Sequence, residues 1–143
     1  MRNVLVPVDG SDSAFRAAMH VIGFIKQYRG VEVHVVNVQP KPLEWQTRGM
    51  EPDKIEDHHS VQAHIALTPV LHALDEAGIA YQTHIKSGDT AETLLALADE
   101  LGCDHITMGS RGLGAISGLM LGSVTRKVLH LARIPVTCVK SDE

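Results

Sequence analysis

Glycines and hydroxyl side chains that suit phosphate binding are concentrated between Gly109 and Thr125, directly after the strand-like run 105–108. Glycine reaches backbone conformations that a Cβ forbids, and it lets backbone N–H groups approach an anion. The last residues, Gly122-Ser123-Val124-Thr125, open a helical pattern. Free N–H groups, the positive end of the helix dipole and two hydroxyls are therefore expected to face one anion. The glycines that fit this use are Gly109, Gly112, Gly114 and Gly118.

Two common phosphate-binding motifs do not fit this segment. A P-loop needs a lysine after its second glycine, but Ser123 follows Gly122 and no lysine follows any other glycine of the segment. A dinucleotide fingerprint needs a third glycine where Ser117 stands, and Gly118 comes one residue late. A flexible surface loop is the remaining alternative, which the position between a strand end and a helix start disfavours.

The spacing Gly109-x2-Gly112-x9-Gly122-Ser123 resembles the ATP-binding motif of the universal stress protein family and matches it at every specified position. The resemblance extends over essentially the whole chain. It implies a homodimer that binds ATP, with Mg²⁺ held mainly by the ATP phosphates. It also implies a nucleotide-dependent stress-response or regulatory module, whose protein partner and signal the sequence does not name.

The resemblance also implies roles for individual residues. Asp9 would accept from a ribose hydroxyl or a metal-bound water, or it serves only as a turn residue. The backbone of Val38 would recognise the adenine edge, and Met108 would pack against base or ribose. Arg111 would clamp two phosphate oxygens, or it points into solvent. The full predicted binding set is Pro7, Val8, Asp9, Val38, Met108, Gly109, Arg111, Gly112, Gly122, Ser123, Val124 and Thr125.

No catalytic or metal-ligating residue is predicted. The 9 histidines include His59 and His64, whose spacing is poor for one helical face, and no Cys-His signature accompanies them. A slow ATPase or phosphotransfer enzyme is one alternative function, with at most weak hydrolysis because a P-loop lysine and a water-positioning pair are missing. A binder of another adenine-containing ligand is the other alternative.

Chain length, net charge and hydrophobic content limit the number of domains and the classes of partner that the sequence predicts. The chain has 143 residues, of which 44% are hydrophobic, and residues 1–143 are expected to form one domain. The net charge of −4 disfavours nucleic acids and anionic membranes as main partners. There is no apolar run of about 20 residues and no signal-peptide pattern, so a soluble, cytoplasmic protein is expected. Cys103 and Cys138 are expected to be free, buried thiols.

Strand and helix patterns alternate along the chain. Ser11 predicts a cap for the first helix, and the capping-box pair Asp89 and Glu92 predicts the start of the third. Pro69 predicts a kink or break inside the second helix. The run from Gln39 to Asp57 contains several prolines and predicts a long loop that could cover a ligand. The predicted strands are 4–8, 31–38, 79–86, 103–108 and 135–139, and the predicted helices are 12–28, 58–77, 89–101 and 121–131.

This alternation predicts a single-domain, open α/β fold of the Rossmann-like or flavodoxin-like kind, with a mostly parallel sheet and helices on both faces. The family resemblance implies the strand order 3-2-1-4-5. Ligands then bind at the carboxyl ends of strands one and four, where Asp9 would lie opposite Gly109. The last strand, from Pro135 to Val139, would be an apolar edge through which the homodimer forms.

Overall fold

Strands and helices alternate throughout the part of the chain that the computed structural model describes, which is residues 1–41, 48–49, 51–112 and 121–141. The strands are β1 (Asn3–Pro7), β2 (Glu32–Gln39), β3 (Gln82–Ser87), β4 (His105–Gly109) and β5 (Val136–Val139). The helices are α1 (Asp12–Gln27), α2 (Pro52–Glu76), α3 (Thr90–Glu100) and α4 (Ser123–Leu131).

The strands form one parallel sheet of 5 strands in the order β3-β2-β1-β4-β5, which confirms the predicted order. The order reverses between β1 and β4, because the chain moves outward in one direction through β2 and β3 and in the other through β5. The register between β1 and β2 ends at Pro7 and Val36. The carboxyl ends of β1, β2 and β4 therefore meet at one edge of the sheet.

Helices cover both faces of the sheet, as predicted. On one face, α1 and α2 pack on Val4, Val6 and Val35. On the other face, α3 and α4 pack on Leu5 and Ile106. Because successive side chains of a strand point to opposite faces, each central strand contributes to both cores. Fully burying one such aliphatic side chain stabilises the fold by about 1.5–3 kcal/mol.

Two helix starts are capped as the sequence predicts. Ser11 Oγ accepts a hydrogen bond from Ala14 N at 3.2 Å at the start of α1. Asp89 Oδ1 accepts one from Glu92 N at 3.0 Å at the start of α3. These caps fix where the two chain segments leave the sheet edge.

The predicted loop from Gln39 to Asp57 is wrong at both ends. Gln39 is the last residue of β2, and α2 begins at Pro52. Proline suits the first turn of a helix, where its missing N–H costs nothing. The first turns of α2 are mostly exposed and polar, so they lack the apolar pattern that would have marked them as helical. Residues 42–47 and 50 of the predicted loop lie outside the described residues.

Of the kink or break predicted at Pro69, the break is wrong, because α2 is continuous from Pro52 to Glu76, and the kink stays a prediction. Proline removes the N–H that would bond the carbonyl of Ile65. Ile65 is 64% exposed, so this carbonyl lies on the solvent side of the helix, where water can satisfy it.

Two predicted element starts are also shifted. The third strand starts at Gln82 instead of 79, since Ile79 N bonds Leu74 O at 3.0 Å and completes the end of α2. The fourth helix starts at Ser123 instead of 121.

Both cysteines are free, as predicted, but Cys138 is half-buried instead of buried because it lies on the edge strand β5. Cys103 is buried, and burial raises the pKa of its thiol to about 11. Such a thiol is protonated at neutral pH and is a poor nucleophile.

Candidate functional site

A cavity of about 490 Å³ opens at the carboxyl ends of β1, β2 and β4, where the strand order reverses. This volume is within the usual range for small-molecule sites. Every residue of the predicted binding set lines it: Pro7, Val8, Asp9, Val38, Met108, Gly109, Arg111, Gly112, Gly122, Ser123, Val124 and Thr125. The fold thus brings together segments that lie about a hundred residues apart in the sequence.

Three helices begin at this cavity, as shown by lining residues Ser11 of α1, Thr90 of α3 and Ser123 of α4. The start of α4 differs from the other two because its N-cap is Gly122, which has no side chain to accept from the first-turn N–H groups. Those N–H groups carry the positive end of the helix dipole. They are available to an anion in the cavity.

The two ends of the predicted phosphate segment meet at Gly122. Gly122 N donates to Ser110 O at 2.8 Å. A Cβ on Gly122 would lie 3.3 Å from Arg111 Cα and 3.5 Å from Gly112 N. The φ angle of Gly122 is −74°, which any residue adopts, so the need for glycine here is steric. Residues 113–120, including Gly114 and Gly118, are outside the described part of the chain.

Gly109 meets a different constraint from the rest of the segment. A Cβ at this position would lie 2.5 Å from Ser13 Oγ and 2.8 Å from Ala14 N. The absence of a side chain therefore allows the first turn of α1 to pack directly on the end of β4. Gly109 has a structural function whether or not it also contacts a ligand.

Asp9 and Gly112 join the two halves of the cavity. Asp9 Oδ1 accepts from Ser11 N at 2.9 Å, so the predicted turn role is confirmed. A Cβ on Gly112 would lie 2.6 Å from Asp9 Oδ2. The second carboxylate oxygen of Asp9 therefore faces the start of the phosphate segment, where it could serve the ribose or metal-water role that the resemblance implies.

The hydroxyl of Thr125 does not face an anion as a donor. Thr125 is buried, and its Oγ1 donates to Gly109 O at 2.9 Å. This bond ties the first turn of α4 to the end of β4. Ser123 is exposed at the helix start, which leaves it as the hydroxyl that suits contact with a ligand.

Arg111 is anchored to the segment that follows β5. Its Nη2 donates to Ser141 Oγ at 3.0 Å, and its backbone N–H donates to Ser13 Oγ at 3.4 Å. The guanidinium is therefore not freely solvated, and it lines the cavity. Arg111 and Asp9 are the only ionisable side chains among the described residues that line it. The described lining thus contains one anionic and one cationic side chain.

Residues of β2 and of α1, α2 and α3 that the sequence analysis missed complete the cavity. Asn37 is buried and donates from Nδ2 to Val8 O at 2.8 Å, while its Oδ1 accepts from Gln39 Nε2 at 2.7 Å. A polar residue inside the apolar run of β2 was the signal that could have identified Asn37. The other missed lining residues are Ser11, Ala14, Val36, Pro40, Gln62, Ala66, Thr90 and Leu94.

The position of Val38 suits backbone recognition. The pairing of β1 with β2 ends at Pro7 and Val36, and the last bond on that side is Val8 N to Val36 O at 2.8 Å. Alternate residues of a strand bond the same neighbour, so the N–H and C=O of Val38 point to the β1 side beyond the end of that strand. Val38 lines the cavity there.

Among the side chains that the structure describes, no group of three His, Cys, Asp or Glu could hold a metal ion. None of the helices in the described ranges is long and apolar enough to cross a bilayer.

Comparison with known proteins identifies the family. The model of the universal stress protein family matches residues 1–140. The chain belongs to this family. A universal stress protein of Methanocaldococcus jannaschii, MJ0531, is 29% identical over 146 residues, which is 97% of this chain and 82% of that protein.

Solved structures of universal stress proteins share the fold. The structure of MJ0577 has a TM-score of 0.84 at 27% identity and covers 99% of this chain and 97% of its own. A universal stress protein in complex with cAMP has a TM-score of 0.70 at 26% identity, with 96% of each chain covered.

Proposed function

We propose that this universal stress protein binds ATP in the cavity at the carboxyl ends of β1, β2 and β4. The observation that carries this proposal is the convergence of the whole predicted binding set on one cavity at the point where the strand order reverses. The uncapped start of α4 supports placement of the phosphates against Gly122, Ser123 and Val124. The cAMP bound to a protein of the same family supports an adenine nucleotide.

The base and ribose would occupy the side of the cavity formed by β1 and β2. Val38 would contact the base edge through its backbone, with Met108 packed against the base or ribose. Asp9 would accept from the ribose or from water on Mg²⁺, and the Mg²⁺ would be held mainly by phosphate oxygens. Arg111 would pair with a phosphate after exchanging its bond to Ser141.

The proposed output is regulatory, in a cytoplasmic homodimer whose protein partner senses nucleotide occupancy. The described cavity lining contains no lysine, the residue that contacts the β- and γ-phosphates in rapid phosphoryl-transfer enzymes. Slow ATP hydrolysis is the second candidate, since Asp9 is a carboxylate at the site. Another adenine-containing ligand is the third, and the cAMP complex of a relative favours testing cyclic nucleotides.

Two measurements test the proposal. Nucleotide that copurifies with the protein is released by denaturation and identified by mass spectrometry. Titration calorimetry then compares Mg-ATP, Mg-ADP, AMP and cAMP on protein freed of nucleotide. Tightest binding of Mg-ATP supports the proposal. Tightest binding of cAMP would replace ATP with the third candidate, and the absence of binding by all four would overturn the nucleotide site.

A further inference from the structure

Two side-chain amides on the β2 side of the cavity are locked in one orientation. Asn37 Nδ2 donates to the carbonyl of Val8, and a carbonyl can only accept. The nitrogen of Asn37 must therefore face Val8, which leaves Oδ1 to accept from Gln39 Nε2 at 2.7 Å. The Gln39 amide cannot turn over, because its oxygen would then face the oxygen of Asn37.

The locked amide presents a defined pair of groups. Nε2 of Gln39 has a second hydrogen, and no residue in the described ranges donates to Oε1. Gln39 is half-buried and lines the cavity. A carboxamide is complementary to adenine, because its oxygen accepts from the exocyclic amino group while its N–H donates to a neighbouring ring nitrogen. A purine with a carbonyl at position 6 would place an acceptor against the Gln39 oxygen.

We propose that Gln39 is a specificity-determining residue that selects 6-aminopurine nucleotides over 6-oxopurine nucleotides. Asn37 is the positioning residue, since it prevents the Gln39 amide from rotating to accommodate a 6-oxo group. This inference rests on the proposed nucleotide site. Gln62 on α2 provides the contrast: it lines the same cavity, but it is exposed and makes no hydrogen bond to the described residues, so its amide can rotate to suit either base.

The test compares Mg-ATP with Mg-ITP, which differ in the group at purine position 6, by titration calorimetry. Wild-type protein is expected to bind Mg-ATP about tenfold more tightly than Mg-ITP, which is about 1.4 kcal/mol, because with ITP the half-buried oxygen of Gln39 would face an acceptor instead of a donor. Gln39→Met keeps the length of the side chain and removes the amide, so the ATP preference should fall to within about threefold. Gln62→Met makes the same chemical change at a lining residue whose amide can rotate, so any change in affinity should be equal for ATP and ITP and their ratio should stay at the wild-type value.

The triphosphate of purine riboside has only hydrogen at position 6. It lacks the amino donor of ATP but does not carry the carbonyl acceptor of ITP, so it separates the effect of losing the donor from the effect of adding an acceptor against the Gln39 oxygen. It should bind wild type with an affinity between those of ATP and ITP. Asn37→Ala should lower the ATP preference although Gln39 is still present, because the amide is then free to rotate. Thermal unfolding must show that this variant is folded, since Val8 O loses its donor.

The outcomes separate this inference from the proposed function. If Gln39→Met keeps the wild-type preference for ATP over ITP, or if wild type does not discriminate between them, the role of Gln39 is wrong while the nucleotide site stands. If wild type binds none of the nucleotides, the proposed function itself fails. If Asn37→Ala does not fold, the comparison of Gln39→Met with Gln62→Met still decides the inference.

Discussion

Gly122 and Gly109 belong to one glycine-rich segment, but an added side chain would meet different parts of the protein. At Gly122 it would meet the backbone of Arg111 and Gly112 at the cavity wall. At Gly109 it would meet the backbone of α1 at Ser13 and Ala14. The first position is therefore expected to affect ligand binding, and the second to affect stability.

Gly122→Val is expected to abolish binding of Mg-ATP while the protein stays folded. The branched side chain occupies the space at the start of α4, yet the site is outside the main cores, so the loss of stability should be only about 1–3 kcal/mol. Ser123→Ala removes one hydroxyl but keeps the backbone donors, and it should weaken binding by about 1–3 kcal/mol. Calorimetry on folded protein checks both, and unchanged affinity in the valine variant would exclude this glycine from the phosphate site.

Gly109→Ala is expected to destabilise the protein by about 1–3 kcal/mol or more, because the new Cβ would lie 2.7 Å from the carbonyl carbon of Ser13 and force α1 away from β4. Gly23→Ala is a matched control, since this glycine is inside α1 and an added Cβ meets nothing within 4 Å. The control should be more stable than wild type by about 0.5–1 kcal/mol. Urea unfolding measures both changes, and equal stability of the two variants would contradict the packing argument.

At the scale of elements, β2 and β3 are joined by a pair of histidines as well as by their backbones. His34 Nδ1 and His84 Nε2 are 3.0 Å apart, so one ring donates and the other accepts. Partial burial, followed by the charges of His34 and Lys86, lowers the pKa of His84, while Glu100 opposes the shift. Burial also lowers the pKa of His105 on β4.

The lowered pKa of His84 predicts acid sensitivity. The unfolded chain takes up the proton first as pH falls through about 6.5, so the stability contributed by the neutral ring is complete above that pH and is lost below it. The melting temperature of wild type should fall between about pH 7.5 and pH 5.5. His84→Gln should show a smaller fall, with the remainder due to His105 and other groups. His58→Gln, on the exposed start of α2, serves as the control, and an equal fall in all three proteins would argue against His84.

At the scale of the whole molecule, β5 is an edge strand with half-buried residues, and its last residue, Val139, is hydrogen-bonded to residues next to the cavity lining. Ser110 N and Ser13 Oγ both donate to Val139 O, at 2.9 and 3.0 Å. Arg111, which lines the cavity, donates from its backbone N–H to Ser13 Oγ. Two hydrogen bonds in sequence therefore connect the cavity wall to the edge strand that we propose as the dimer interface.

A charge on that edge is expected to yield a monomer. Val136→Lys or Val139→Lys would place an ammonium group on a surface where two copies of β5 would meet about a two-fold axis. Light scattering should show a dimer for wild type at micromolar concentration and a folded monomer for the variants, with circular dichroism as the check on folding. A wild-type monomer under these conditions would rule out the interface.

Hydrolysis by the whole molecule is expected to be slow or absent, because in the proposed site backbone and hydroxyl donors would hold the phosphates and the described lining offers no recognisable base for the γ-phosphate. The steady-state rate with Mg-ATP should be below about 1 s⁻¹. A faster rate that disappears in Gly122→Val would instead identify the protein as an ATPase.

The sequence by itself determined the order and types of the elements, the caps of α1 and α3, and the residues of the phosphate segment. These features are local: periodicity, capping pairs and glycine spacing act over a few residues. The sheet order and the placement of Asp9 opposite Gly109 came from family resemblance combined with the binding rule for open sheets, and the approach of Asp9 to Gly112 came from the structure.

Only the tertiary structure showed which of these residues also pack against, or form hydrogen bonds with, other parts of the protein. Gly109 is required by the approach of α1, Thr125 donates to Gly109 O, and Arg111 donates to Ser141. The true start of α2 and the contribution of Gln39 to the cavity were likewise invisible in the pattern. The physical reason is that each of these roles depends on atoms that the fold brings close. The space left by a missing Cβ, and the partner of a hydroxyl or an amide, are set by the packing of segments and not by the local sequence pattern.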